Sequence, residues 1–401
     1  MASSWLFCAI SAASGETLSH WVQLGPDREI VVRAISASPK CPLLQVEGRS
    51  VAMQKRATPS AQFPGHVCEH RAQETLGQVS VDTKVLPTLS PTVERIAVIG
   101  DTGCRIRGNR AQACNDPSAW PLTKIAEEVA SRSPDLIIHV GDYLYRSSEC
   151  PDAEKCGGSP FGDTFQAWSA DWLTPAEQLF QAAPFLFLRG NHENCGRGDK
   201  GWFRYFADGP VPSDCPAVSQ PWITSVDGLD LIVFDSSAGP APHSSPDLLP
   251  EYSQMARDLF ARTNGEGWLL THRPLWANMR AFGELINGDD TQRAAFGGAM
   301  PQAVTLILSG HIHAFQAIDL SDGPVQSIVG NSGTQLDPMP TGVARDIEIA
   351  GHLADLVVNN GEFGFLMLTK GTDNTWLMEA IGDTGQVQIR CQLAESRLTC
   401  I

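Results

Sequence analysis

The sequence predicts an α/β unit over residues 92–401, preceded by a small all-β sandwich domain over residues 1–91. Three observations predict it. Up to about Pro91 the chain reads as short strands broken by Gly, Pro and Ser. Beyond Pro91, apolar runs of strand length alternate with amphipathic segments of helix length, the pattern of a parallel or mixed sheet covered by helices. Finally, strand after strand ends in a polar motif containing Asp, Asn or His, and in open α/β sheets that edge is where ligands bind.

The elements follow in order. "HWVQLG", "EIVVRAI", "PLLQVEG" and "GQVSVDTKVL" each read as a strand of the first segment. "WLFCAISAAS", Trp5 to Ser14, reads as a further strand. Its apolarity and small residues also fit a signal segment, but no Lys or Arg precedes it. "LSPT", Leu89 to Thr92, reads as the linker. Strand Ile96–Gly100 comes next, followed by a helix around Leu122 to Ser131 and the strand "DLIIHVGD". A helix near residues 175–183 precedes "FLFLRGNHE". After it come "LDLIVFDSS", a helix around residues 251–262, "GWLLTH" and "VTLILSGHIH". "FGFLMLTK" and "TWLMEAIG" return to strand pattern and complete the sheet.

Composition narrows the function. With 42% hydrophobic and 18% charged residues, the chain of 401 residues has ample material for buried cores. No stretch reaches the roughly 18 apolar residues of a membrane span. A formal charge of −16 argues against binding nucleic-acid backbones, which needs a positive surface. An anionic substrate would have to be drawn in by local cations. Eleven cysteines are many for a reducing compartment. Paired as neighbours they give Cys41 with Cys68, Cys104 with Cys114, Cys150 with Cys156, Cys195 with Cys215 and Cys391 with Cys400, leaving Cys8. Other pairings and free thiols stay open on spacing alone.

The polar strand ends are Asp101 in GDTG, Asp142 and Tyr145 in GDYLY, Asn191 and His192 in GNHE, His272 in LLTH, and His311 and His313 in GHIH. Carboxylate, carboxamide and imidazole together make a mixed oxygen and nitrogen donor set suited to Fe, Zn or Mn. Seven such groups exceed the needs of one ion. Other histidines carry no motif: His139 reads as packed beside the sheet, His20, His66 and His70 as surface or structural, and His352 as structural, while His243 is unassigned.

In these blocks, over about residues 95–320, the chain resembles the metallophosphoesterases, and specifically the purple acid phosphatases, whose pattern runs GDxG, GDxxY, GNH[DE], a later His and GHxH. The resemblance implies a four-layer α/β/β/α sandwich and two metals bridged by Asp142. Asp101, Tyr145 and His313 join Asp142 on the first, and Asn191, His272 and His311 hold the second. In the wider superfamily a His stands where this chain has Gly103. The phenolate of Tyr145 replaces it and favours Fe(III), with Fe2+, Zn2+ or Mn2+ in the second site.

The implied reaction is hydrolysis of small-molecule phosphate monoesters by a metal-activated hydroxide. His192 would serve the leaving group and Glu193 would orient His192. A phosphodiesterase of the same fold is the alternative, and a non-catalytic surface-binding protein is the rival of another class. The plant members' additional histidines are missing from "HRPLWANMRAFGE", where Arg280 either binds a phosphate oxygen or is an ordinary surface arginine. "GHIHAFQ" also lacks the Tyr-Glu-Arg continuation of plant forms, so the resemblance points to a bacterial-type subgroup, periplasmic or secreted. Asp235, at the end of "LIVFD", is supporting at most.

Overall fold

The computed structural model describes residues 17–73, 76–238, 245–263, 265–281, 284–373 and 375–400. Cys8, His243 and the segment from Trp5 to Ser14 lie outside the described residues. Strands β1 (Thr17–Leu24), β2 (Ile30–Ser36), β3 (Gln54–Ala57) and β4 (His66–Ala72) come first. They are followed by β5 (Arg95–Ile99), β6 (Leu136–His139) and β7 (Phe185–Phe187). A second set holds β8 (Trp222–Val226), β9 (Leu229–Phe234), β10 (Gly267–Thr271), β11 (Val304–Ser309), β12 (Phe315–Leu320), β13 (Val325–Val329) and β14 (His352–Asn360). The chain closes with β15 (Gly364–Lys370), β16 (Thr375–Gly382), β17 (Val387–Ala394) and β18 (Arg397–Cys400).

Two large sheets result. The first runs β18-β17-β16-β15-β5-β6-β7-β1-β2-β4-β3, and the second contains β8-β9-β10-β11-β13-β12-β14 extended by Gly342–Ala344. The alternation of side chains along β5 shows how they stack. Ile96 and Val98 enter the core between the sheets, where they join Ile138, Leu186, Leu231, Leu270 and Leu306. Ala97 and Ile99 point the other way, onto Ile125, Ala126 and Val129 of helix α1 (Leu122–Ser131). That helix carries its apolar residues at Leu122, Ile125, Ala126 and Val129, one stripe of a 3.6-residue period. Helix α2 (Glu177–Ala182) packs beside it, and helix α3 (Asp199–Tyr205) follows β7 in the chain. On the far side, Ile232, Leu269 and Ile307 of the second sheet meet Tyr252, Met255 and Leu259 of helix α4 (Leu249–Phe260), with α5 (Asp290–Phe296) against it. The layers are helix, sheet, sheet, helix. Among the described residues no helix is long and apolar enough to cross a membrane.

Among the described residues the N-terminal segment is strands and loops with one short 3-10 turn at Pro26–Arg28, and its shape depends on the rest of the chain. The strands Leu44–Val46, Arg49–Val51, Val79–Val81 and Lys84–Leu86 form a separate four-stranded sheet. "GQVSVDTKVL", expected as one strand, is a hairpin turning at Asp82, whose φ is +54°. The other four strands continue the first large sheet, joined to it where Gln23 of β1 pairs with Phe185 of β7. Val22, Val32, Leu44 and Val81 therefore share one core with Val98 and Ile138. Residue 91 is a boundary in sequence pattern, while hydrogen bonding and apolar contact run across it. The five disulfides are those expected from neighbouring cysteines.

Arginines fasten this junction. Arg33 is fully buried and donates to the carbonyls of Tyr205 (2.5 Å) and Ala207 (2.8 Å) at the end of α3, while pairing with Glu69 at 3.2 Å. Arg56 donates to the carbonyls of Phe203, Arg204, Ala207 and Gly209. Cations suit a helix C-terminus because its last carbonyls lack intrahelical donors. Arg33→Ala leaves buried carbonyls and Glu69 short of a partner, and is expected to destabilise the fold by about 3 kcal/mol, read as a lowered urea midpoint.

Candidate metal centre

The motif residues gather because five strands, β5, β6 and β7 of the first sheet and β10 and β11 of the second, point their C-terminal ends at one rim. At three of these ends the chain turns through a left-handed residue: Asp101 (φ +54°), Asp142 (φ +64°) and His311 (φ +71°). Each such conformation costs a non-glycine residue on the order of 1 kcal/mol, and such residues cluster at functional sites. Gly190 has to be glycine, since a Cβ there would fall on the Asp142 carboxylate.

All seven predicted donors meet in this pocket. Asp101, Asp142, Tyr145, His272 and His313 are buried, and Asn191 and His311 are half-buried. One oxygen of each aspartate is held by a backbone N–H from another loop: His192 donates to Asp142 Oδ1 at 2.7 Å and His311 to Asp101 Oδ2 at 2.8 Å. The remaining oxygens face Tyr145, whose Oη lies 2.9 Å from Asp101 Oδ1, 2.8 Å from Asp142 Oδ2 and 3.0 Å from His313 Nε2. On the other side Asn191 Oδ1 lies 3.1 Å from His272 Nε2 and 2.7 Å from His311 Nδ1. Asp142 Oδ2 is also 3.4 Å from His272 Nε2, so this carboxylate belongs to both groups. Donor atoms of Asp142, His272 and His311 all lie within 4.8 Å of one another.

The protons do not suffice for these contacts. His313 Nδ1 is 2.9 Å from the Gln335 carbonyl and His272 Nδ1 is 2.8 Å from that of Val140. A carbonyl only accepts, so both rings carry their proton on Nδ1 and turn an Nε2 lone pair into the pocket. Around Tyr145 Oη a single phenolic proton is left for two carboxylates and an imidazole lone pair. Beside it, the His272 lone pair faces the Asn191 carbonyl oxygen. Buried acceptors aimed at one another are stable only with a cation between them, so the residues fit bound metal.

Electrostatics agree. Burial and the neighbouring Asp142 push the Asp101 carboxyl well above the usual carboxylate range. Burial and the two carboxylates push the Tyr145 phenol up.

Gly103, where the superfamily's histidine would stand, lies against the loop that carries Tyr145. A Cβ there would fall on the Tyr143 carbonyl and come within 2.9 Å of Tyr145 N and 3.0 Å of Asp171 Oδ2. A side chain at 103 and this placement of Tyr145 exclude each other.

The other predicted residues fare unequally. His192 is buried with its ring 3.7 Å from that of Tyr145 and its Nε2 3.9 Å from Asp142 Oδ2. Burial and the Arg197 charge lower its pKa to about 3. Glu193 does not orient His192. Its two oxygens accept from the backbone N–H groups of Tyr143, Leu144, Asp142 and Gly190 at 2.9–3.1 Å, which fills the four acceptor positions of a carboxylate. His192 is set instead by Nδ1, 2.9 Å from the Leu144 carbonyl. Arg280 sits exposed on the hairpin Met279–Ala281 and Glu284–Ile286, away from the donors' contacts. Asp235 pairs with buried Arg189 at 3.3 Å, which supports the loop after β7. His139 accepts at Nδ1 from Gly141 N and faces Thr102 Oγ1 with Nε2, stacked 3.8 Å from Tyr143, so it is a packing residue as expected.

Sequence reasoning missed three residues. Buried Asp171 accepts from the backbone of Cys104, Tyr145 and Arg146 and pairs with the Arg146 side chain at 2.6 Å. Arg105 lies over the Tyr145 ring at 5.9 Å, and Arg197 Nη2 is 2.8 Å from His192 Nε2. None belongs to a motif; Arg105 and Arg197 stand close in sequence to GDTG and GNHE, while Asp171 carried no signal.

A family model of calcineurin-like phosphoesterases matches residues 94–315. No curated protein matches the chain in sequence. Among solved structures, the purple acid phosphatase PPD1 from yellow lupin (Lupinus luteus) seeds is similar at TM-score 0.61 and 15% identity, over 93% of this chain and 73% of that one. PhoD is similar at TM-score 0.62 and 11% identity, over 100% of this chain and 93% of that one. At these identities the structural likeness carries the fold. The family match spans more than half of the 401 residues, and its fold and donor-rich pocket agree with it: the chain belongs to the calcineurin-like phosphoesterases and is a metal-dependent phosphoric ester hydrolase.

Proposed function

We propose that the chain is a phosphatase with a binuclear metal centre that hydrolyses small-molecule phosphate monoesters. The observation that carries this reading is the surplus of lone pairs around Tyr145 Oη and Asn191 Oδ1, with Asp142 reaching both groups. Asp101, Asp142, Tyr145 and His313 would hold one ion. Asp142, Asn191, His272 and His311 would hold the other. A phenolate is a hard anionic donor, which supports Fe(III) in the first place and Fe2+, Zn2+ or Mn2+ in the second. When bound, such a pair supplies polarisation of the phosphoryl oxygens and a hydroxide near neutral pH.

The chain's own groups complete the reaction. Glu193 and Asp171 fix the loops that carry the donors. His192 keeps its Nδ1 proton on Leu144 and presents Nε2 toward the centre. In this setting the ring is neutral with Nε2 facing the Arg197 guanidinium at 2.8 Å, and a bound monoester that draws Arg197 onto its own oxygens would free Nε2 and favour the imidazolium needed to protonate a leaving oxygen. Five disulfides support an oxidising compartment, periplasmic or extracellular. The charge of −16 leaves nucleic-acid backbones poor partners.

Metal analysis with a visible absorption spectrum tests the centre. About two ions per chain and a broad charge-transfer band, lost in Tyr145→Phe, are expected. A colourless protein holding stoichiometric Fe(III) would show that Tyr145 is not a ligand. His192→Ala is expected to lower kcat by about a hundredfold with metal content intact, whereas loss of metal would make His192 a ligand. Gly103→His, which restores the superfamily's residue, is expected to lower metal content and thermal stability together, because the loop bearing Tyr145 already occupies that space. A diester kcat/KM above the monoester value would reverse the substrate order.

A further inference from the structure

An enzyme of charge −16 that acts on an anion needs positive charge where the anion binds, and Arg105 and Arg197 supply it in an unusual form. Most other arginines drawn into the structure have a carboxylate partner: Arg33 and Arg56 pair with Glu69, Arg71 with Glu29 and Asp208, Arg146 with Asp171, and Arg189 with Asp235, while Arg204 and Arg273 donate to the backbone carbonyls of Thr58 and Ser236. Arg105 and Arg197 are half-buried, and among the described residues neither has a carboxylate within 4 Å. The Arg105 guanidinium stands 5.9 Å from the Tyr145 ring centroid. Among the described residues the Arg197 guanidinium has polar contacts with the His192 ring nitrogens, at 2.8 and 2.9 Å, and the Asn191 carbonyl, at 3.4 Å. The Tyr145 and His192 rings are themselves 3.7 Å apart and tilted by 31°, so the two cations attend the two members of one close ring pair at the wall of the donor pocket. A partly desolvated guanidinium without an anion is unfavourable, and its planar fork matches phosphate oxygens.

We propose that Arg105 and Arg197 form a two-guanidinium clamp on the phosphoryl group of the substrate and select the monoester dianion over the singly charged diester. The proposal rests on the phosphatase reading above. The clamp replaces the phosphate-binding role that the sequence offered to Arg280. A monoester phosphoryl keeps three non-bridging oxygens and up to two negative charges, so oxygens remain for the arginines beyond those facing the donor pocket. A diester offers one oxygen and one charge fewer.

The test is calorimetric binding of inorganic phosphate to the metal-replete protein, comparing wild type with Arg105→Ala, Arg197→Ala and the lysine variants. Arg107→Ala, at an exposed position two residues further along the chain, is the control. Each alanine variant is expected to weaken phosphate by about tenfold or more, with metal content and thermal midpoint unchanged and lysine giving partial recovery. In the same variants the monoester kcat/KM falls further than the diester kcat/KM. Phosphate binding within about twofold of wild type in both alanine variants overturns the clamp and leaves the phosphatase reading standing. Equal losses for the two ester classes overturn the selection. A wild type that binds phosphate through both arginines yet hydrolyses neither class overturns the phosphatase reading and leaves the clamp.

Discussion

The Glu193 carboxylate joins the ends of β6 and β7, and the position of nearly every group in the pocket follows from it. Its four acceptor positions are filled by the N–H groups of Asp142, Tyr143, Leu144 and Gly190. Burial and Asp142 push it up to about 8 while those N–H groups pull the other way. Through this one side chain the turn bearing Asp142 and Tyr145 and the turn bearing Asn191 and His192 become a single rigid piece. Asp171 does the same between the GDTG turn and the Tyr145 turn. Neither carboxylate faces the donors. Their work is to neutralise loop N–H groups that a buried rim would otherwise leave without partners.

Rigidity at the rim is what lets acceptors stay aimed at acceptors. A flexible loop would relax Asn191 away from His272 and Tyr145 away from the aspartates. Held by backbone bonds from His192 and His311, the carboxylates keep one oxygen each directed inward. The left-handed conformations of Asp101, Asp142 and His311 are part of the same preorganisation, sustained by the strands behind them.

Much of this was legible in the sequence where chemistry is local. The helix expected around Leu122 to Ser131 is α1, with Leu122, Ile125, Ala126 and Val129 as its buried stripe, and all seven motif donors arrive in one pocket because each stands a few residues beyond a buried strand. The neighbouring cysteines pair as their spacing offered. Less was legible where partners are distant. Nothing in "GQVSVDTKVL" announces a turn at Asp82, since alternation continues through it. Glu193 beside His192 invites a pairwise role, and only the folded loops reveal four competing N–H donors. Arg105 and Arg197 carry no motif, and their lack of an anionic partner is a property of the assembled surface. The merging of the N-terminal strands into the large sheet rests on a contact between Gln23 and Phe185, which no periodicity encodes.

That merger bears on how the protein can be divided. Removing the first 91 residues would strip β1 from β7 and uncover the backbone edge of Phe185–Phe187 together with the ring faces of Phe180 and Phe206 that Trp21 covers. A bare, apolar sheet edge invites pairing with another copy of itself. The opening strands thus work as a built-in edge guard for the sheet that bears half the donors, and a chain trimmed to the family-defining region would be a template for aggregation rather than a minimal enzyme.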